Sequence, residues 1–168
     1  MKNCILVTGA ARSGKSQIAE DLCLKFGRPA TYIATAQAWD DEMRARIALH
    51  QSRRGPEWMT IAEPMALLAA LQRSDGAGPR LVDCLTLWLT NLMLAEADWQ
   101  QAARDLLAAL PDQRSPIVFV TNEVGMGIVP DNALARAFRG AGGTLNQGAA
   151  AAAAEAILAA SGLPPKGS

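Results

Sequence analysis

The feature that most constrains this chain is an eight-residue loop near its start. Residues 9–16 read GAARSGKS and fit the pattern G-x-x-x-x-G-K-[ST] in full. An unbroken apolar run at residues 4–7 precedes the loop, and apolar residues at helical spacing follow it up to residue 26. A phosphate-binding loop requires this order of strand, loop and helix. We therefore expect a nucleotide-binding α/β fold built on this loop.

Each position of the loop predicts a contact to the phosphates of a nucleotide. Glycines at both ends let the backbone curl so that its N–H groups point inward at phosphate oxygens. The helix that begins near Lys15 turns its positive dipole end toward the same place. Lys15 is predicted to be catalytic and to reach the β- and γ-phosphates, and the Ser16 hydroxyl is predicted to bind Mg²⁺. The predicted nucleotide contacts in the loop are Gly9, Ala10, Ala11, Arg12, Ser13, Gly14, Lys15 and Ser16.

Segments typical of strands and of helices alternate along the rest of the chain. The predicted strands are residues 4–7, 30–34, 81–84, 117–120 and 156–159. The predicted helices are residues 16–26, 40–53, 64–71, 85–93, 98–110 and 132–140. Such alternation predicts an α/β fold of the RecA-like P-loop type, with a central, mostly parallel sheet and helices on both faces. The length of 168 residues, half of them apolar, predicts a single P-loop nucleotide-binding/transferase domain over residues 1–168.

A carboxylate at the end of a neighbouring strand is the expected partner of a phosphate-binding loop, because it holds the water shell of the metal ion. Asp83 ends the apolar stretch that begins at Arg80 and is the natural candidate. Together with Ser16 it forms the predicted Mg²⁺ site. The alternative role for Asp83 is a strand-end cap or a salt bridge.

The single histidine of the chain lies in an arginine-rich segment. Arg46 precedes His50 by four residues, and Arg53 and Arg54 follow it by three and four, so a helix would place them on one side. Crowded like charges repel one another unless they face a polyphosphate. Neighbouring cations also favour the neutral imidazole, which is a nucleophile. From the spacing alone, a solvated basic face with an idle histidine remains the alternative.

Two polar loops are expected at the same edge of the sheet. Trp58 and Glu63 are predicted to lie in the loop after the arginine-rich helix, where they would be able to meet a base or a ribose. Asn122 and Glu123 follow the fourth predicted strand. Ligands of parallel α/β sheets bind beyond the carboxyl ends of the strands, which makes both loops candidate contacts.

Charge and cysteine content argue against several classes of protein. Sixteen basic and sixteen acidic residues leave no net charge, which disfavours a nucleic-acid partner or an acidic-membrane binder. The three cysteines are scattered, and with one histidine they cannot form a Cys/His zinc cage, so we expect buried, reduced thiols. No apolar stretch reaches the roughly 18 residues of a membrane span, and no signal peptide is recognisable. We therefore expect a cytoplasmic protein without a membrane span.

Four segments of the chain together resemble one family. They are TGAARSGKS, YIATAQAWDDEMRARIALH, VDCLTLWLTNLM and TNEVGMGIVPDNALARAFRGAGGTLNQ, within residues 5–147. They are similar to the bifunctional adenosylcobinamide kinase / adenosylcobinamide-phosphate guanylyltransferase family of cobalamin biosynthesis. The resemblance implies that ATP or GTP phosphorylates adenosylcobinamide. It further implies that GMP passes from GTP to an enzyme histidine and then to adenosylcobinamide phosphate, giving adenosylcobinamide-GDP and pyrophosphate, in a homotrimer.

The same resemblance implies roles for individual residues. The guanylylated histidine of the family lies in an R-I-x-x-H block and corresponds to His50, with Arg46 and Ile47 in register. The tail departs from the family pattern, because residues 145–148 read LNQG and an alanine run follows where the family has LNQRVA. The nucleotide contacts implied outside the phosphate-binding loop are Thr35, Ala36, Gln37, Gln51, Ser52, Arg53, Arg54, Glu63 and Asp83.

Two other interpretations share the phosphate-binding loop. A different P-loop small-molecule kinase would use Lys15, Ser16 and Asp83, but it has no use for a histidine among arginines. A nucleotide switch would carry a guanine-specifying N-K-x-D motif, which the sequence lacks, and the neutral charge argues against a nucleic-acid motor. Product analysis separates these interpretations, because pyrophosphate from GTP indicates nucleotidyl transfer and GDP alone indicates a kinase or a switch.

Overall fold

The computed structural model describes residues 4–9, 14–37, 41–122 and 155–159, with the backbone alone at residues 46, 50, 122 and 155–159. Among the helices of this part, none is long and apolar enough to cross a membrane. The elements in chain order are β1 (Cys4–Gly9), α1 (Lys15–Phe26), β2 (Ala30–Ala34), α2 (Asp41–Arg53), β3 (Trp58–Ala62), α3 (Leu67–Ser74), β4 (Arg80–Asp83), α4 (Leu85–Leu94), α5 (Trp99–Ala109), β5 (Ile117–Asn122) and β6 (Glu155–Ala159).

The strands form one six-stranded sheet in the order β3-β2-β4-β5-β1-β6. All five neighbouring pairs are parallel, with Cys4 opposite Ile117 and Ile5 opposite Glu155 on the two sides of β1. The α/β fold with a parallel sheet is therefore as predicted. Because every strand runs the same way, the loops that follow β1, β2 and β4 all emerge at one edge of the sheet.

Both faces of the sheet are covered by helices. Side chains that alternate along a strand point to opposite faces, so a strand buried on both faces becomes an unbroken apolar run. One face packs against α1, and the other packs against α3, α4 and α5. The first face contributes Ile5, Val7, Ala30, Tyr32, Leu81, Val118 and Val120; the second contributes Cys4, Leu6, Ile33, Val82, Ile117 and Phe119.

The segment after the arginine-rich helix is a strand, and the prediction of a loop there was wrong. β3 pairs in parallel with β2, with Trp58 opposite Ala30 and Ala62 opposite Ala34. It lies at the edge of the sheet, and its Met59 is 63 % exposed. A half-exposed edge strand needs no unbroken apolar run, which was the signal used to predict the other strands.

Two other predicted strands have counterparts in the structure, and one predicted helix does not fall in its described part. The strand predicted at 81–84 is displaced by one residue, because Cys84 lies at the N-cap of α4, where its Sγ accepts a hydrogen bond from the Leu87 N–H at 3.3 Å. The last predicted strand is confirmed as β6. The helix predicted at 132–140 lies outside the described residues.

A buried arginine fastens the start of β4. The Arg80 side chain has no exposed surface, and it donates hydrogen bonds to the carbonyl oxygens of Leu71 and Ser115, both at 2.6 Å. It also donates to Gln113 Oε1 at 2.7 Å, and Asp75 Oδ1 lies 3.4 Å from Arg80 Nη2. These contacts join the end of α3 to the segment before β5, beneath the strand that carries Asp83.

Replacing Arg80 by leucine is expected to lower the free energy of unfolding by about 3 kcal/mol. The substitution leaves several buried acceptors without a donor and leaves the Asp75 carboxylate without its buried cation. Urea denaturation measures the change. Arg73→Leu removes an exposed arginine from α3 and is the control, expected to stay within about 0.5 kcal/mol of wild type. A loss below about 1 kcal/mol for Arg80→Leu would contradict the assignment.

The three cysteines are buried and unpaired, as predicted. Burial raises the pKa of Cys23 to about 12 and the pKa values of Cys4 and Cys84 to about 11. At pH 8 a thiol with a pKa near 11 is only about one part in a thousand thiolate, the reactive form. We expect dithionitrobenzoate to react with the native protein at least about a hundredfold more slowly than with the protein in guanidinium. Rapid release of one equivalent from the native protein would contradict this.

Candidate functional site

The described ends of the phosphate-binding loop join β1 to α1. Gly14 lies at the N-cap of α1 with φ of 82°, a left-handed conformation that favours glycine. Lys15 begins the helix with its side chain 9 % exposed, and the Ile18 N–H donates to the Gly14 carbonyl at 3.2 Å. Four predicted loop contacts lie outside the described residues: Ala10, Ala11, Arg12 and Ser13.

A pocket lies at the carboxyl ends of β2 and β4, beside the start of α1. Residues from separate parts of the sequence meet there, since Ser16 comes from α1, Asp83 from the end of β4, and Gln51 and Arg54 from the end of α2 and the residue after it. The lining residues are Ser16, Tyr32, Ala34, Ala36, Ile47, Gln51, Arg54, Asp83 and Leu87. Five of them, Ser16, Ala36, Gln51, Arg54 and Asp83, are predicted nucleotide contacts.

Other predicted contacts are not among the residues that line this pocket. Ser52 and Arg53 are exposed, and the Ser52 hydroxyl donates to the Leu49 carbonyl within the helix at 2.7 Å. Gln37 follows the pocket residue Ala36 in the same loop. His50 lies in the last turns of α2, and its side chain is outside the described part of the structure. Its role and the nucleotide-binding roles stay predictions.

Thr35 joins the carboxyl ends of β2 and β4. Its hydroxyl donates to the Cys84 carbonyl at 2.8 Å and accepts from the Cys84 N–H at 2.9 Å. Its own N–H donates to the Asp83 carbonyl at 3.1 Å. The side chain is fully buried, so Thr35 holds the loop at residues 35–37 against the strand that carries Asp83.

Asn91 of α4 ties two loops of the site together. Its side-chain Nδ2 donates to the Thr35 carbonyl at 2.8 Å and to the Pro64 carbonyl at 2.9 Å. One turn earlier, the Trp88 indole N–H donates to the Met65 carbonyl at 2.7 Å. Both side chains are almost fully buried. One face of α4 therefore fixes the loops after β2 and β3 relative to each other.

Glu63 has a local structural role. Its Oε2 accepts hydrogen bonds from the N–H groups of Met65 and Ala66, each at 3.2 Å. The bonds hold the turn that leads into α3, which begins at Leu67, three residues later than predicted. Glu63 is a predicted nucleotide contact, but it does not line the pocket described above.

Tyr32, which belongs to none of the predicted site residues, connects two charged pocket residues. Its hydroxyl donates a hydrogen bond to Asp83 Oδ2, and the guanidinium carbon of Arg54 lies 3.6 Å from the centroid of its ring. Burial, reinforced by the charge of Asp83, raises the pKa of Tyr32 far above its ordinary value. It is the single tyrosine of the chain, in a strand whose other residues are alanine, threonine and isoleucine, and that was the available signal.

Glu20 of α1 is an acidic group whose pKa is influenced by the charges of two pocket residues. Burial raises its pKa, the charge of Arg54 acts against this, and the charge of Asp83 adds to it. Its position four residues after Ser16 on α1 was the signal that would have found it.

The pocket offers a hard cation two kinds of oxygen ligand, the Ser16 hydroxyl and the Asp83 carboxylate. Within the described residues, no group of three or more His, Cys, Asp or Glu side chains is arranged to hold a metal ion by itself. This sparse donor set suits a cation that takes its remaining ligands from water and from phosphate oxygens.

Comparison with known proteins gives consistent matches over nearly the whole chain. The family described as "Cobinamide kinase / cobinamide phosphate guanyltransferase" matches residues 5–166, a range that includes every residue of the pocket. The "Bifunctional adenosylcobalamin biosynthesis protein CobP" of Pseudomonas aeruginosa is 44% identical, over 95% of this chain and 94% of that protein. Two proteins named "Bifunctional adenosylcobalamin biosynthesis protein CobU" are 45% identical in Salmonella typhimurium and 43% identical in Escherichia coli. Each alignment covers 96% of this chain and 98% of the relative.

Proposed function

The chain belongs to the cobinamide kinase / cobinamide phosphate guanyltransferase family, and we propose that the pocket lined by Ser16, Arg54 and Asp83 serves both of its reactions. The protein is a bifunctional enzyme of cobalamin biosynthesis. As a kinase it phosphorylates adenosylcobinamide with ATP or GTP. As a guanylyltransferase it transfers GMP from GTP to adenosylcobinamide phosphate, which gives adenosylcobinamide-GDP.

The observation that carries the proposed site is the convergence of five predicted nucleotide contacts, among them Ser16, Arg54 and Asp83, on one pocket. Ser16 comes from the first turn of α1, where backbone N–H groups and the helix dipole favour anions. Arg54 brings a guanidinium, whose planar fork matches phosphate oxygens. In this proposal Lys15 stabilises the charge that develops on the transferred phosphoryl group.

We assign Mg²⁺ to the Ser16 hydroxyl and the Asp83 carboxylate. The ion supplies charge neutralisation at the phosphate oxygens of the nucleotide. Tyr32 bonds one carboxylate oxygen of Asp83, and a carboxylate offers about four acceptor positions in all. Asp83 can therefore accept hydrogen bonds from metal-bound water while the Tyr32 hydroxyl orients its carboxylate.

We further propose that His50 carries GMP between the two substrates. A neutral imidazole nitrogen attacks the α-phosphorus of GTP, so that a P–N bond forms while the bond to pyrophosphate breaks. A phosphate oxygen of adenosylcobinamide phosphate then attacks the same phosphorus, the P–N bond breaks and the histidine is regenerated. The support is that α2 brings Gln51 and Arg54 to the pocket, and His50 precedes Gln51 in that helix.

GTP labelled at two positions tests the proposal. With γ-labelled GTP and adenosylcobinamide, we expect the label in adenosylcobinamide phosphate. With α-labelled GTP, we expect the label in adenosylcobinamide-GDP, together with release of pyrophosphate. A reaction without the corrinoid is the control for hydrolysis. GDP as the sole nucleotide product, with no label passing from α-labelled GTP to the corrinoid, would contradict nucleotidyl transfer.

The homotrimer implied by the family resemblance is a further proposal. Among the described residues no strand pairs with the outer edge of β3, and its Met59 is exposed, so a second subunit would be able to cover this surface. Sedimentation equilibrium is expected to give three times the chain mass of 17.7 kDa. A stable monomer at micromolar concentration would contradict the trimer.

A further inference from the structure

Tyr32 contacts two pocket residues of opposite charge. Its hydroxyl donates to the Asp83 carboxylate, and the Arg54 guanidinium lies over its ring, with the Cζ atom 3.6 Å from the ring centroid. Both charged residues line the pocket that contains Ser16. The acidic and basic sides of the pocket therefore meet at this one side chain.

Arg54 and Asp83 form no ion pair with each other in the described part of the chain. A direct ion pair would satisfy both charges and would leave neither of them for a phosphate group and its metal ion. The Arg54 Nε is instead buried without a hydrogen-bond partner among the described residues. A buried donor without a partner is costly, and a phosphate oxygen is an acceptor that suits a guanidinium.

The position of the Tyr32 ring is itself fixed by its surroundings. Trp58 of β3 packs against it edge-to-face, with 5.8 Å between ring centroids and an interplanar angle of 84°. The tyrosine is 6 % exposed, and its hydroxyl is held as a donor to Asp83 Oδ2. A rigid aromatic side chain can orient two neighbours at little cost in conformational entropy.

We propose that Tyr32 is a positioning residue for the triphosphate, which orients Asp83 through its hydroxyl and Arg54 through its ring face and keeps the two charges apart. The proposal rests on the function proposed above, because it takes this pocket as the nucleotide site. Tyr32 acts through its two neighbours and does not touch the reacting atoms. Its hydroxyl and its ring should therefore affect nucleotide binding separately.

Two substitutions separate the two contacts. Tyr32→Phe removes the hydroxyl and keeps the ring, whereas Tyr32→Leu removes both. Equilibrium binding of a fluorescent GTP analogue is titrated once in EDTA and once in Mg²⁺. In EDTA we expect Tyr32→Phe to bind like wild type and Tyr32→Leu to bind about tenfold more weakly, the effect of losing the stacking contact with Arg54. In Mg²⁺ we expect Tyr32→Phe to bind about three- to tenfold more weakly than wild type.

A third substitution tests whether the ring acts through Arg54. Arg54→Lys keeps the charge but loses the planar guanidinium, and it should weaken binding in EDTA about as much as Tyr32→Leu does. The combination of the two should be no weaker than either alone. Arg54→Lys leaves the core intact and is therefore informative even if Tyr32→Leu folds poorly. Thr31→Val, at a buried position of β2 outside the pocket lining, is the control and should bind like wild type.

The outcomes distinguish this proposal from the proposed function. Equal losses for Tyr32→Phe and Tyr32→Leu in EDTA would overturn the proposal and leave the function intact. Additive losses for Tyr32→Leu and Arg54→Lys would overturn it in the same way. If wild type bound no GTP analogue in either solution, the proposed function and this inference would fail together.

Discussion

Replacing His50 by alanine will abolish covalent attachment of GMP to the protein while phosphorylation of adenosylcobinamide continues. His50 is the single imidazole of the chain, so a phosphoramidate on histidine can form nowhere else. Kinase chemistry requires the γ-phosphate and the acceptor hydroxyl, neither of which needs this side chain. With α-labelled GTP, wild type should take up label that is labile in acid and stable in alkali, and His50→Ala should take up none.

A matched substitution on the same helix controls for loss of structure and charge. Arg44 is exposed and pairs with Asp41 at 2.9 Å, at the opposite end of α2 from His50. Arg44→Ala should take up label and phosphorylate adenosylcobinamide at nearly the wild-type rates. Label that persists in His50→Ala, or loss of both activities in a variant that still folds, would show that the role assigned to His50 is wrong.

Replacing Lys15 by alanine should, by contrast, impair both reactions. Its ammonium group is predicted to meet the β- and γ-phosphates, which both reactions place in the phosphate-binding loop. Losing one such contact to a developing charge typically costs about a hundred- to a thousandfold in rate. Initial rates of phosphorylation and of guanylyl transfer, each with saturating corrinoid, measure the effect.

The control for Lys15 lies on the same helix. Lys25 is an exposed lysine in the last turn of α1, and Lys25→Ala should leave both rates nearly unchanged. Circular dichroism and thermal unfolding establish that Lys15→Ala is folded, which matters because the Lys15 side chain is largely buried. Rates within a factor of three of wild type in a folded Lys15→Ala protein would refute its assignment.

The parts of the fold that the sequence predicts are those whose signal is local. The phosphate-binding loop is written in eight consecutive residues, and the inner strands β1 and β5 are short apolar runs because both of their faces are buried. The edge strand β3 carries no such run, because its side chains are exposed or only partly buried. Its existence depends on pairing with β2, which no pattern within the segment itself reveals.

The contacts that shape the pocket are long-range for the same reason. The Tyr32–Asp83 bond joins residues 51 positions apart, and the Asn91–Thr35 bond joins residues 56 positions apart. Family resemblance also cannot tell which side chains of a matching segment face the pocket. Within one run of α2 residues, Gln51 lines it and Ser52 does not, because successive residues of a helix point in different directions.

The two hydrogen bonds donated by the Asn91 amide limit which residues can replace it during evolution. Among side chains of that length, only the asparagine amide carries two N–H donors; ionised aspartate has the same shape but no donor, and serine has a single O–H donor. Aspartate or serine at position 91 therefore releases at least one of the two carbonyls that Asn91 holds. Its neighbour Leu92 contributes only volume to the core and can exchange with methionine at small cost. We therefore expect residue 92 to vary among related enzymes and residue 91 to remain asparagine.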